Sequence, residues 1–178
     1  NSELTGVGSC SAFGENLEAE DQGHGSPFGA GAFGAPVQEE APLTPDALEN
    51  ILKTVFTFKK GQERVITVVG CGGDRDVTKR PVMARVAATG SDRVFLTSDN
   101  PRTEDPAAIL EDMKSGLDPI EMRKCITITD RKEAIRAAAL FAEPGDIVIV
   151  AGKGHETYQE INGVQHDFDD RVVLHEAF

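Results

Sequence analysis

The chain has 178 residues, 39% of them apolar, which allows one ordinary domain with a sizeable core and some excess length. Its 30 acidic side chains face 18 basic ones, a formal charge of −12; direct nucleic-acid binding is disfavoured, because neutralising phosphates needs clustered positive charge. Cys10, Cys71 and Cys125 are odd in number and lack metal-ligand spacing, so free thiols in a reducing compartment are expected, and no apolar run nears the length that spans a membrane.

Residues 1–43 carry seven acids, eight glycines and neither Lys nor Arg. That composition buries too little apolar surface to offset chain entropy and predicts a disordered segment or linker, with one domain over 44–178. The chain opens on Asn1, without Met and without a secretory signal pattern, so it reads as a fragment or processed product from which a targeting peptide could have been lost. Thr44-Pro45-Asp46 predicts a helix start: a hydroxyl cap, proline at the first helical position and an acid favoured by the helix dipole. Leu48, Ile51, Leu52, Val55 and Phe56 continue it at helical spacing until Gly61.

Residues 65–69 form a short β-branched run, as expected of a strand covered on both faces. A glycine-dense loop, Gly70-Cys71-Gly72-Gly73-Asp74-Arg75-Asp76, leads to a helix over 81–88. A second strand over 93–97 ends in Ser98-Asp99-Asn100-Pro101-Arg102, and Asp105 caps a helix that Gly116 terminates. A shorter strand covers 126–128, Asp130 caps a helix over 134–142, and Pro144-Gly145-Asp146 turns into the most apolar strand, 147–151. After Gly152-Lys153-Gly154-His155-Glu156, residues 158–161 and 164–168 flank Asn162-Gly163, a strong hairpin signal. A last helix runs over 169–178. The alternation predicts an α/β fold: a three-layer, mainly parallel, Rossmann-like sheet with a C-terminal antiparallel hairpin.

Parallel strands point one way, so the loops after 65–69, 93–97 and 147–151 should emerge together at the sheet's carboxyl edge, where open α/β sheets bind ligands. Asp99 can take an ammonium and Asn100 can donate and accept. Pro101 fixes the backbone, and Arg102 offers a planar fork to a carboxylate. Arg75 adds a second guanidinium, Glu156 a second carboxylate, and Gly152 a backbone without a Cβ in the way. Two cations beside two anions suit a zwitterion such as an amino acid, and would not suit a simple phosphate. The glycine-dense loop lacks the third glycine of G-x-G-x-x-G. Gly152-Lys153 lacks the earlier glycine and the following Ser or Thr of a P-loop, so neither predicts nucleotide binding. His155 is a lone histidine for which the sequence names no partner.

Residues 44–49 (T-P-D-A-L-E), 70–81 (G-C-G-G-D-R-D-V-T-K-R-P), 97–102 (T-S-D-N-P-R), 151–156 (A-G-K-G-H-E) and 168–171 (F-D-D-R) stand in an order and spacing that resemble the C-terminal domain of the Mur ligase family. The resemblance is to the type that adds the third residue of the peptidoglycan stem peptide, and it covers 44–178. D-N-P-R marks family members that use meso-diaminopimelate instead of lysine. The resemblance therefore implies that Arg75, Asp99, Asn100, Pro101, Arg102, Gly152 and Glu156 bind that amino acid. It further implies a cytoplasmic, ATP-dependent amide formation through an acyl phosphate on UDP-N-acetylmuramoyl-dipeptide, in cell-wall synthesis. ATP and Mg are implied to be held mainly by the family's central domain. Residues 1–43 show none of that domain's phosphate loop, magnesium ligands or carbamylated lysine, so the isolated chain is expected to be inactive. Where the family usually reads D-Y-A-H before T-P-D-A-L, this chain has Glu40-Ala41-Pro42-Leu43, implying a lost nucleotide contact. That departure supports an alternative, a ligase-like structural subunit such as the relative found in plastid transcription machinery.

Overall fold

The computed structural model describes residues 43–178. The expected lead segment up to Pro42 and Cys10 lie outside them. The chain forms α1 (Pro45–Phe58), β1 (Val65–Cys71), α2 (Lys79–Thr89), β2 (Arg93–Ser98), α3 (Pro106–Lys114), α4 (Pro119–Lys124), β3 (Cys125–Thr127), α5 (Arg131–Phe141), β4 (Ile147–Ala151), β5 (Tyr158–Ile161), β6 (Val164–Asp167) and α6 (Asp170–Ala177).

Four strands make one parallel sheet in the order β3-β2-β1-β4. Alternate residues of each strand face opposite sides, and both sides are covered, which is why the strands read as unbroken apolar runs. Val65, Val69, Val94, Leu96 and Ile149 pack with Leu48 and Leu52 of α1, Met83 and Ala87 of α2, and Leu110 and Met113 of α3. Ile66, Val68, Phe95, Val148 and Val150 pack with Ala134, Ile135 and Ala138 of α5 and with Val173 and Leu174 of α6. The chain steps from β1 to β2 to β3 in one direction, and then places β4 on the far side of β1. This reversal opens a crevice at the carboxyl ends of β1 and β4, the position at which such sheets accept ligands.

Side-chain caps start the helices where the sequence predicts them. Thr44 Oγ1 accepts from the Ala47 N–H at 3.2 Å, Asp105 from Ala107 at 2.9 Å and Asp130 from Glu133 at 3.0 Å. Helix α2 begins at Lys79, two residues before the expected Pro81. Proline is tolerated there because the first helical N–H groups have no intrahelical acceptor in any case. Helix α4 was not expected. Ile120 and Met122 are exposed and leave no buried stripe, although Asp118 and Glu121 form a reciprocal capping box that the sequence does carry.

The hairpin forms at Asn162-Gly163, with φ of +51° and +75°, as a two-residue turn of the twisted kind requires. It stands as its own two-stranded sheet and does not extend the parallel one. A β-bridge between Arg102 and Ile161 helps to join it to the loop after β2.

Candidate functional site

Strands β1 and β2 end side by side, Cys71 opposite Ser98, and Val69 lies opposite Ala151 of β4. The three loops that follow therefore meet. The glycines of the first loop allow it to lie against the second: a Cβ on Gly70 would come 2.7 Å from the Thr97 carbonyl oxygen, and one on Gly73 1.9 Å from that of Pro101. The Gly73 N–H donates to the Asn100 carbonyl at 2.8 Å. Glycine density here serves close backbone packing.

Between the loops lies a cavity of about 260 Å³, lined by Arg75, Asp99, Asn100, Arg102, Gly152 and Glu156 together with Lys79, Arg80, Cys71 and Leu43 among others. Six of the seven expected site residues thus share one space. Pro101 is buried beside them but does not line the cavity; its carbonyl backs onto Gly73. The volume lies below the roughly 300–1,000 Å³ of pockets for drug-sized ligands, so it suits a compact polar molecule.

A connected polar network shapes the cavity wall. Asn100, 3% exposed, donates from Nδ2 to Glu156 Oε2 at 2.8 Å, while its Oδ1 accepts from Lys153 Nζ at 2.7 Å and from the Glu160 N–H at 3.0 Å. Gln159 Nε2 donates to the Asp99 carbonyl at 2.6 Å. Gly152 has φ of +127°, which residues with a Cβ rarely adopt, so the site needs its missing side chain for conformation; a Cβ there would meet Asp99 Oδ2 at 3.4 Å, an ordinary contact. Arg102 is a non-glycine residue in the left-handed region, φ +51°. Two backbone bonds to the hairpin hold it there: its N–H donates to the Glu160 carbonyl at 3.1 Å, and its carbonyl accepts from Asn162 at 2.7 Å. Its Nη1 donates to the Gly73 carbonyl at 2.9 Å and its Nε lies 3.6 Å from the Glu160 carboxylate.

Charged residues that sequence reasoning missed support these loops. Arg131, fully buried, makes a two-point pair with Asp170 at 2.8 and 2.6 Å and donates to the Ala151 carbonyl at 3.1 Å, one residue before Gly152. Burial opposes its charge, but Asp170, with Asp99 and Glu156 nearby, holds its pKa above the ordinary guanidinium value. Arg80, also buried, pairs with Glu104 at 2.7 Å and Asp112 at 2.8 Å, and the hydrogen bond from Arg80 holds the Glu104 carboxyl below its ordinary range. Burial, with Asp99 adding to it, pushes the Cys71 thiol up to about 12. Among the described residues no group of three His, Cys, Asp or Glu could hold a metal ion. Lys153 Nζ is turned inward onto Asn100 and the Tyr158 carbonyl, each at 2.7 Å.

Comparison with known proteins now bears on the fold and the site. Residues 43–154 match the family described as "Mur ligase, glutamate ligase domain". The chain belongs to the Mur ligase family. The relative from Bacteroides thetaiotaomicron named "UDP-N-acetylmuramoyl-L-alanyl-D-glutamate--2,6-diaminopimelate ligase" is 58% identical over 135 residues, 76% of this chain and 28% of that protein. Relatives of the same name from Cytophaga hutchinsonii (57%) and Halalkalibacterium halodurans (54%) cover 75% of this chain and 27% and 26% of their own lengths. A solved structure with that name superposes with a TM-score of 0.70 at 53% identity, over 75% of this chain and 27% of the other. The chain thus spans a little over a quarter of the length of these curated relatives. All are named as ligases, which gives the alternative of a plastid structural subunit no support.

Proposed function

We propose that residues 44–178 are the amino-acid-binding C-terminal domain of a ligase that joins meso-diaminopimelate to UDP-N-acetylmuramoyl-dipeptide in cytoplasmic peptidoglycan synthesis. The observation that carries this reading is the convergence of Arg75, Asp99, Asn100, Arg102, Gly152 and Glu156 around one compact cavity. Guanidinium groups suit the ligand's carboxylates, and the Asp99 and Glu156 carboxylates suit an ammonium. The names carried by relatives at 54–58% identity agree with this chemistry. In this reading ATP and Mg bind mainly on another domain, and these residues bind and orient the amino acid and exclude water from it. The isolated chain should therefore neither hydrolyse ATP nor form an amide bond.

Arg102 is the residue assigned to the carboxylate that lysine lacks. A charged hydrogen bond contributes ~1.5–3 kcal/mol, more when its loss leaves a buried charge unpaired. Arg102→Ala should weaken meso-diaminopimelate binding by roughly ten- to several-hundred-fold while changing L-lysine binding far less. Titration calorimetry with both amino acids reads this directly. Equal losses for the two would show that Arg102 supports its loop and does not read the ligand; no binding of meso-diaminopimelate by the unsubstituted chain would remove the assignment of the pocket.

A further inference from the structure

We propose that Lys153 is a positioning residue of the ligand pocket: it fixes the side-chain amide of Asn100, and through it Glu156, in the orientation that faces the ligand. The proposal deepens the reading above and rests on it for the identity of the ligand.

Lys153 is 1% exposed and its ammonium sits where three separate segments meet. Nζ lies 2.7 Å from Asn100 Oδ1 and 3.2 Å from Asp99 Oδ1 in the loop after β2. It lies 3.6 Å from Glu156 Oε2 in its own loop, and 2.7 Å from the Tyr158 carbonyl at the start of the hairpin. The Tyr158 ring lies 5.9 Å away, adding a weak attraction for the cation. An ammonium donates and never accepts. It therefore admits only one of the two orientations of the Asn100 amide, with Oδ1 toward Lys153, and the Glu160 N–H at 3.0 Å selects the same one. Nδ2 must then point the other way, onto Glu156 Oε2 at 2.8 Å. Asn100 and Glu156 line the cavity, whereas Lys153 does not. The lysine thus acts on the ligand only through its neighbours. The same ammonium ties the hairpin to the loop after β2, and the hairpin holds both backbone groups of Arg102.

The test compares the unsubstituted 178-residue chain with Lys153→Met, which keeps most of the stem and removes the ammonium, with Asn100→Ala, and with the double variant. In ligand-free ¹H–¹⁵N spectra, Lys153→Met should move the Asn100 side-chain amide signals while most backbone signals stay in place. Calorimetry should show a loss of meso-diaminopimelate affinity of about ten- to a hundred-fold for each single variant. The double variant should be little worse than either single one, since both disable one unit. A buried counter-ion with no positioning role would instead lower the thermal midpoint and leave the Asn100 amide and the affinity unchanged, and losses that multiply in the double variant would likewise overturn the proposal. If the unsubstituted chain does not bind meso-diaminopimelate, the functional reading fails, while the Asn100 amide response still decides the role of Lys153. Should Lys153→Met not fold, the unsubstituted chain decides. Its Lys153 ammonium should be slow enough in exchange to give a ¹H–¹⁵N signal with cross-peaks to the Asn100 side chain, and their absence from an otherwise complete spectrum would sink the inference.

Discussion

At the scale of single residues, Arg102 combines two properties that are separable by substitution. Its left-handed backbone is strained for any residue with a Cβ, and its guanidinium faces the cavity loop. Arg102→Ala keeps the strain and removes the guanidinium, while Arg102→Gly removes both. The glycine variant should therefore be more stable than the alanine variant by ~1 kcal/mol, seen as a higher thermal midpoint, with both equally weak for meso-diaminopimelate. A glycine variant less stable than the alanine one would show that the hairpin bonds do not hold a strained residue. Gly73 offers the opposite experiment. A Cβ there would overlap the Pro101 carbonyl at 1.9 Å, so Gly73→Ala must push two loops apart. The expected cost is at least the ~1–3 kcal/mol of an overpacked site, together with loss of ligand binding even though no charged group is touched. Unchanged stability in chemical denaturation would mean that the loops yield freely.

At the scale of elements, α5 and α6 are fastened to the site edge by Arg131 and Asp170, whose side chains are 0% and 7% exposed. Removing one partner leaves a buried charge, and ~3–5 kcal/mol is the usual cost. Asp170→Leu and Arg131→Met should each unfold at markedly lower denaturant, whereas the two together should cost far less than the sum; additive losses in a double-mutant cycle would show the two charges to be independent. This pair also marks the limit of what the sequence discloses. Strands β1, β2 and β4 are legible because each is a short apolar run between turn residues, and the site loops because parallel strands must end together. Arg131 and Asp170 are not legible: a charged residue at a helix start reads as solvated, and only tertiary pairing buries it. The same holds for Arg80, which the sequence places in a basic run, and for Lys153, whose flanking glycines attract attention to the wrong question, whether it binds phosphate. Helix α4 escapes because its caps are strong and its buried face is absent.

At the scale of the whole molecule, the titrating groups predict a stability dome with two identifiable limbs. On the acid side, Glu104 is held low by its hydrogen bond from Arg80. For Asp146 burial opposes ionisation, but its hydrogen bonds from Arg64 and the backbone outweigh it, so its carboxyl is held low as well. A carboxyl whose folded pKa lies below its unfolded value stabilises the fold above the unfolded value, and that contribution is lost as pH falls toward the folded one. With unfolded values of 4.5 and 3.8, the acid limb should begin just below pH 5 and steepen beneath pH 4. On the alkaline side the sign reverses. Burial pushes the Cys71 thiol from 9.0 up to about 12 and the Cys125 thiol to about 11, so above pH 9 the unfolded chain releases protons that the folded chain keeps. Each such group removes up to ~1.4 kcal/mol of stability per pH unit across its window. The decisive measurement is a comparison. The Cys71→Ala/Cys125→Ala variant should share the parent's acid limb and lose stability more slowly between pH 9 and 11, measured by denaturant unfolding at constant ionic strength. Parallel alkaline limbs in the two proteins would show that neither thiol is held protonated by the fold.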